Sequence, residues 1–109
     1  MTERELQEQV RLMCAQLGLY HYHAHDSRRS QGGFPDSWII SLRTGQAMFR
    51  ELKSQAGKLT YEQKSLGYAL RAGGHDWAVW RPANLLDGSI AAQLGQLAGY
   101  ARVSDQARP

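Results

Sequence analysis

Two short runs hold the residues best suited to chemistry. One opens on Asp36, within Gly33-Phe34-Pro35-Asp36, and continues Ser37-Trp38-Ile39-Ile40. The other, Ala47-Met48-Phe49-Arg50, ends in Glu51-Leu52-Lys53, and a Thr44-Gly45 turn lies between them. If the runs pair as a hairpin, two carboxylates and an ammonium converge at one end of a sheet. Hard oxygen donors of this kind suit Mg²⁺, with Mn²⁺ as a substitute. A cation so held can be set against a phosphodiester, which points to nuclease chemistry.

The hairpin must put those groups on one face. Side chains alternate along a strand, so Glu51 and Lys53 point one way and Leu52 the other. A two-residue loop at Thr44-Gly45 pairs Arg43 with Gln46. Trp38 then falls opposite Glu51 and Asp36 opposite Lys53, which makes Asp36 a same-face diagonal neighbour of Glu51, roughly 5–8 Å away between Cβ atoms. A three-residue loop would shift the register by one and send Asp36 to the other face.

The flanking elements are legible from caps and periodicity. Thr2 with Glu5 reads as a capping box, and Leu6, Val10, Met13 and Leu17 give a helix from about Thr2 to Leu17 that stops at Gly18. Leu19 to Ala24 reads as a strand and His25 to Gly33 as a basic, glycine-bearing loop. After the hairpin and a polar loop from Ser54 to Lys58, Thr60 and Gln63 form a second capping box. Leu66, Ala69 and Leu70 supply a helical stripe that ends at Gly73-Gly74. Asp76 to Arg81 reads as a fourth strand, with Trp77 and Trp80 as core residues rather than base-stacking ones. Pro82 opens helical material to about Tyr100, with a break expected at Gly88. The tail from Arg102 to Pro109 is expected to fray. The predicted order is α-β-β-β-α-β-α: one α/β domain with a small mixed sheet flanked by helices.

Composition sets the frame. A chain of 109 residues with 42% hydrophobic content suits one domain and one core. No apolar run approaches the ~20 residues needed to cross a bilayer, so no membrane role is expected. The opening Met-Thr-Glu-Arg-Glu-Leu lacks the apolar stretch of a secretory leader, and Cys14 is a lone cysteine. Both suit a cytoplasmic protein. A formal charge of +3 is compatible with a polyanionic partner.

The ordered motifs resemble the PD-(D/E)xK nuclease superfamily, with Pro35-Asp36 as its PD element, Glu51-Leu52-Lys53 as its (D/E)xK element, and an αβββαβ order like its restriction-endonuclease-like core. Within that superfamily they are most similar to the VRR-NUC family, in its small stand-alone phage and bacterial form. The likeness rests on the His23 to Ser30 segment, Gly33-Phe34-Pro35-Asp36, Glu51-Leu52-Lys53, Gly57-Lys58-Leu59, Gln63 and Trp80-Arg81-Pro82, and spans roughly Thr2 to Leu97. Three positions depart from the family pattern. Ser37 stands where an aliphatic residue is usual, Gly67 where a bulky one is, at about 1 kcal/mol of helix propensity, and Asn84 where an acid often follows Arg-Pro-Ala.

The resemblance implies roles. Asp36, Glu51 and the backbone carbonyl of Leu52 would hold the metal, and Lys53 would orient or deprotonate the attacking water or stabilise the transition state. Glu3 aligns with a glutamate that lies beside the metal in related resolvases, whereas Glu5 serves the cap. Gln63 matches a glutamine near the family's active site but could equally serve only Thr60. His23 could contact phosphate or assist proton transfer. The alternation of His21, His23 and His25 could also make a zinc site, a weaker reading because only His23 matches the family. Ser27, Arg28, Arg29 and Ser30, with Lys58 across the site, would clamp DNA phosphates.

The implied activity is a Mg²⁺-dependent DNA endonuclease acting on branched or four-way DNA in replication, recombination or repair. A homodimer with one site per strand is expected. Leu85 to Tyr100 is a candidate dimer surface, or else simply closes the core. Two other readings stand beside this one: a nicking subunit that needs phage or host DNA-processing proteins as partners, and a catalytically silent DNA-binding module.

Overall fold

A computed structural model of the chain describes residues 1–24 and 32–99. The elements run α1 (Glu3–Leu17), β1 (Tyr20–His23), β2 (Ser37–Ile40), β3 (Ala47–Leu52), α2 (Tyr61–Ala72), β4 (Trp77–Trp80), α3 (Pro82–Leu86) and α4 (Ser89–Ala98). The strands form one mixed sheet in the order β1-β2-β3-β4. β1, β2 and β3 pair antiparallel, while β4 joins β3 in parallel after the crossover through α2.

Both capping boxes form as expected. The Glu5 backbone N–H donates to the Thr2 hydroxyl and the Thr2 N–H to the Glu5 carboxylate, and α1 ends where Gly18 turns left-handed at φ 69°. The stripe of α1 centres on Leu6, Val10 and Cys14, all buried, with Met13 and Leu17 at its margin. It packs with Ile90 and Leu94 of α4 onto Ile39, Met48, Leu52 and Trp80 of the sheet. Ile90 and Leu94 of the segment from Leu85 onward thus help close the core, while Leu86 stays exposed. That segment is two helices, broken at Asp87-Gly88, where Gly88 sits at φ 86°.

Trp77 and Trp80 are both buried, as expected. Being three apart on a strand, they face opposite layers. Trp80 joins the α1/α4 core, and Trp77 lies under α2. There Gly67 has a reason to be glycine: a Cβ would sit 2.2 Å from the Trp77 ring. Its propensity cost is the condition for α2 to lie so close to the sheet.

The hairpin differs from the two-residue expectation. Ser41 N–H donates to the Gln46 carbonyl and Gly45 N–H to the Ser41 carbonyl, so Leu42 to Gly45 make a four-residue loop. Threonine explains this. A two-residue type I′ turn needs positive φ at both central residues, and a β-branched residue resists it; here only Gly45, at φ 75°, adopts that conformation. The register sets Ser37 opposite Arg50 and Trp38 opposite Phe49. It is shifted by two from the expected pairing, so every residue keeps its face. Continued by one residue, it brings Asp36 directly across from Glu51.

Candidate functional site

Asp36 is positioned by its neighbours before its own side chain acts. Gly33, at φ 87°, presses against the first turn of α2, where an added Cβ would lie 2.5 Å from the Glu62 carbonyl oxygen. Pro35 is buried. The Ala24 N–H donates to the Asp36 carbonyl at 2.9 Å, extending the β1–β2 ladder to the acid. Its carboxylate accepts from the Leu52 N–H, with oxygens at 3.2 and 3.3 Å. The N–H and C=O of a strand residue lie on the same edge, so the Leu52 carbonyl also faces the Asp36 side. The next N–H, of Lys53, turns the other way to the Trp80 carbonyl.

Glu51 is 3% exposed. Its Oε1 accepts from Gln63 Nε2 at 2.7 Å. Gln63 Oε1 in turn accepts from the Thr60 N–H, and the Gln63 N–H donates to the Thr60 hydroxyl. Gln63 thus bonds in two directions: the capping box fixes the side chain, and the fixed amide aims its N–H at Glu51. Among the described residues, Glu51 Oε2 is buried with no hydrogen-bond partner.

Burial raises the Asp36 pKa to about 7; the Leu52 N–H opposes this, the charge of Glu3 adds to it, and the Ser37 hydroxyl and Lys53 oppose it further. Burial raises Glu51 to about 8, with the Asp36 charge adding and Lys53 opposing. Two facing carboxylates cannot both ionise cheaply in so little water. An unpartnered buried oxygen, a pair that resists its own charge and an adjacent carbonyl suit a hard divalent cation, and Mg²⁺ characteristically takes one or two carboxylates.

The remaining candidates fall in different places. Lys53 lies two residues beyond Glu51 and is half-buried; its Cδ stands 3.6 Å from where a Cβ at Gly57 would be. Lys58 is exposed on the same loop. Glu3 starts α1 and is felt by both acids as charge. Among the described residues, however, no three His, Cys, Asp or Glu side chains gather closely enough to hold a metal. His23 pairs with Ser37, so it lies on the face opposite Glu51. His21 Nε2 and His23 Nδ1 stand 3.3 and 3.5 Å from the Ser37 hydroxyl. The structure does not bring His23 to the acids. Serine in place of an aliphatic residue at 37 gives these rings a polar neighbour. His25, Ser27, Arg28, Arg29 and Ser30 lie outside the described residues, as do Tyr100 and the tail.

Two arginines that frame the site went without a role in the sequence reading. Arg81 Nη1 donates to the carbonyls of Ser54, Gln55 and Gly57, tying down the loop after Lys53. Asn84 Oδ1 accepts from the Arg81 N–H at 2.8 Å and so performs the capping task an acid would perform there. Arg50 is 2% exposed on the core face. It donates to the Phe49 and Asp76 carbonyls and to Gln93 Oε1, pairs with the Asp76 carboxylate at 3.0 Å, and lies 4.9 Å over the Trp80 ring. It joins β3 to β4 and α4 directly behind Glu51. Alternation carried the signal, since Met48, Arg50 and Leu52 share the inward face and only Arg50 is charged.

Comparison with known proteins finds no matching family model, no matching curated protein and no matching solved structure.

Proposed function

We propose that this chain is a divalent-metal-dependent DNA endonuclease of the PD-(D/E)xK type, built like a VRR-NUC domain. One observation carries the reading: Asp36, just before β2, falls across from the buried Glu51 of β3, with Leu52 N–H on one acid and Gln63 on the other. The α1-β1-β2-β3-α2-β4 order and the β1-β2-β3-β4 sheet support a restriction-endonuclease-like core around that pair.

The chain's own residues divide the work. Asp36, Glu51 and the Leu52 carbonyl would hold Mg²⁺ or Mn²⁺. Gln63 fixes one Glu51 oxygen and leaves the other for the ion. Lys53 sets its ammonium beside the reacting phosphate, where it orients the attacking water and offsets charge gathering on the phosphoryl oxygens. Burial of both acids keeps bulk water from competing for their lone pairs. When bound, the cation supplies Lewis-acid charge at the scissile phosphate. Among the described residues, no helix is long and apolar enough to cross a membrane.

Linear, nicked, flapped and four-way DNA, incubated side by side with Mg²⁺, test the proposal. Cleavage that needs the metal and favours branched forms is the expected result. Binding of DNA with no cleavage of any form would overturn it in favour of a silent binding module.

A further inference from the structure

Beside the acidic pair the surface changes sign. The loop after Lys53 and the start of α2 enclose an open pocket of about 540 Å³ lined by Lys58, Lys64 and Arg81 together with Gln55 and Gly57; none of its lining residues is acidic. Its walls are held in place. Arg81 Nη1 gathers the Ser54, Gln55 and Gly57 carbonyls, and Gln55 Oε1 accepts from the Ala83 N–H at 2.9 Å. The loop's carbonyls are thereby drawn onto the guanidinium.

The pocket adjoins the acids in three ways. Gly57, in its wall, lies beside the Lys53 side chain, whose Cδ stands 3.6 Å from where a Cβ at Gly57 would be. Lys64 follows Gln63, whose amide bonds Glu51. Arg81 follows Trp80, the partner of Leu52 across the β3–β4 pairing.

We propose that this pocket binds a second phosphate of the same nucleic-acid strand, held by Lys58, Lys64 and Arg81, while the neighbouring phosphate lies at the acidic pair. The inference rests on the nuclease reading and deepens it. The substrate must be a strand with at least two adjacent phosphates, and the protein positions it by charge rather than by reading bases. Fixed cations of this kind act through counterion release, so each leaves its mark on the salt dependence of binding.

The test is fluorescence anisotropy of a labelled oligonucleotide across a salt series, in the Glu51→Gln background so that the DNA stays whole. Lys58→Ala with Lys64→Ala should lower affinity at least tenfold at low salt. It should also reduce the slope of log K against log[salt] by about 0.7–0.9, the value of one phosphate contact. Lys58→Arg with Lys64→Arg should restore both. Arg11→Ala, which removes a cation paired with Glu8 on α1, should leave the slope alone. An unchanged slope in the double alanine variant, an equal fall in the Arg11 variant, or no DNA binding by the parent chain would each overturn the subsite. Because binding is read without cleavage, a chain that shows the predicted slopes but never cuts DNA would refute the nuclease reading and leave the phosphate subsite standing.

Discussion

Glu51→Gln should make the metal-free protein more stable, and only at high pH. In the folded chain Glu51 is 3% exposed, faces Asp36 and keeps one oxygen unpartnered. Its pKa rises from 4.5 to about 8. Because the folded-state value lies above the unfolded one, the native state holds the extra proton between about pH 4.5 and 8. Stability is therefore full below that window and falls as pH rises through it, by at most about 1.4 kcal/mol per pH unit for one group. At pH 9 the cost of the ionised side chain is capped at about 5 kcal/mol. Local relaxation and water entry recover much of that, so the expected gain from glutamine is about 1–3 kcal/mol, or roughly 5–15 °C in melting temperature. Glutamine still offers the acceptor that Gln63 requires. Thermal melts of both proteins in chelator at pH 4.5 and pH 9 are the assay. The curves should separate at pH 9 and converge at pH 4.5. Adding Mn²⁺ at pH 8, a hundredfold above its dissociation constant, should then stabilise the parent by about 2.7 kcal/mol and the variant far less. A variant no more stable than the parent at pH 9 would refute the reasoning about buried charge.

The surrounding structure yields further expectations. Gly67→Ala should destabilise by about 1–3 kcal/mol in urea titration despite the better helix former, because its Cβ meets the Trp77 ring at 2.2 Å; a stabilised variant would contradict that close approach. Gln63→Ala removes half of a capping box and the Glu51 hydrogen bond. It should cost about 1–2 kcal/mol and weaken Mn²⁺ binding by about tenfold in calorimetry; unchanged affinity would mean that Gln63 serves only its helix. Arg81→Met takes the shared donor from three loop carbonyls. Amide exchange across residues 54–58 should quicken by an order of magnitude or more, and unaltered protection would show that the loop holds its shape without the arginine.

Much of the site was legible because its signals are local or periodic. Each capping box declares itself within four residues, and the first turn of α2 places Gln63 wherever the helix starts. Asp36 and Glu51 reached the same face despite a mistaken turn, because the register error was two residues and a strand repeats every two. The turn itself was misjudged because Thr44 makes a positive-φ pair costly, while the Ser41 hydroxyl accepts from the Thr44 N–H and favours the longer loop. What sequence could not supply were partners from afar. Arg50 meets Asp76 and Gln93, which lie 26 and 43 residues further along the chain. Gly67 looked like a local fault until Trp77 was seen beneath it.

Nicking of supercoiled plasmid in Mg²⁺, run with the parent chain, Asp36→Ala and Lys53→Ala, tests the central claim most directly, with circular dichroism confirming that all three are folded. The parent should convert supercoiled to open-circle DNA and stop when the metal is chelated, and both variants should leave the plasmid intact. Parental nicking by either folded variant would contradict the assignment of these residues as the catalytic centre.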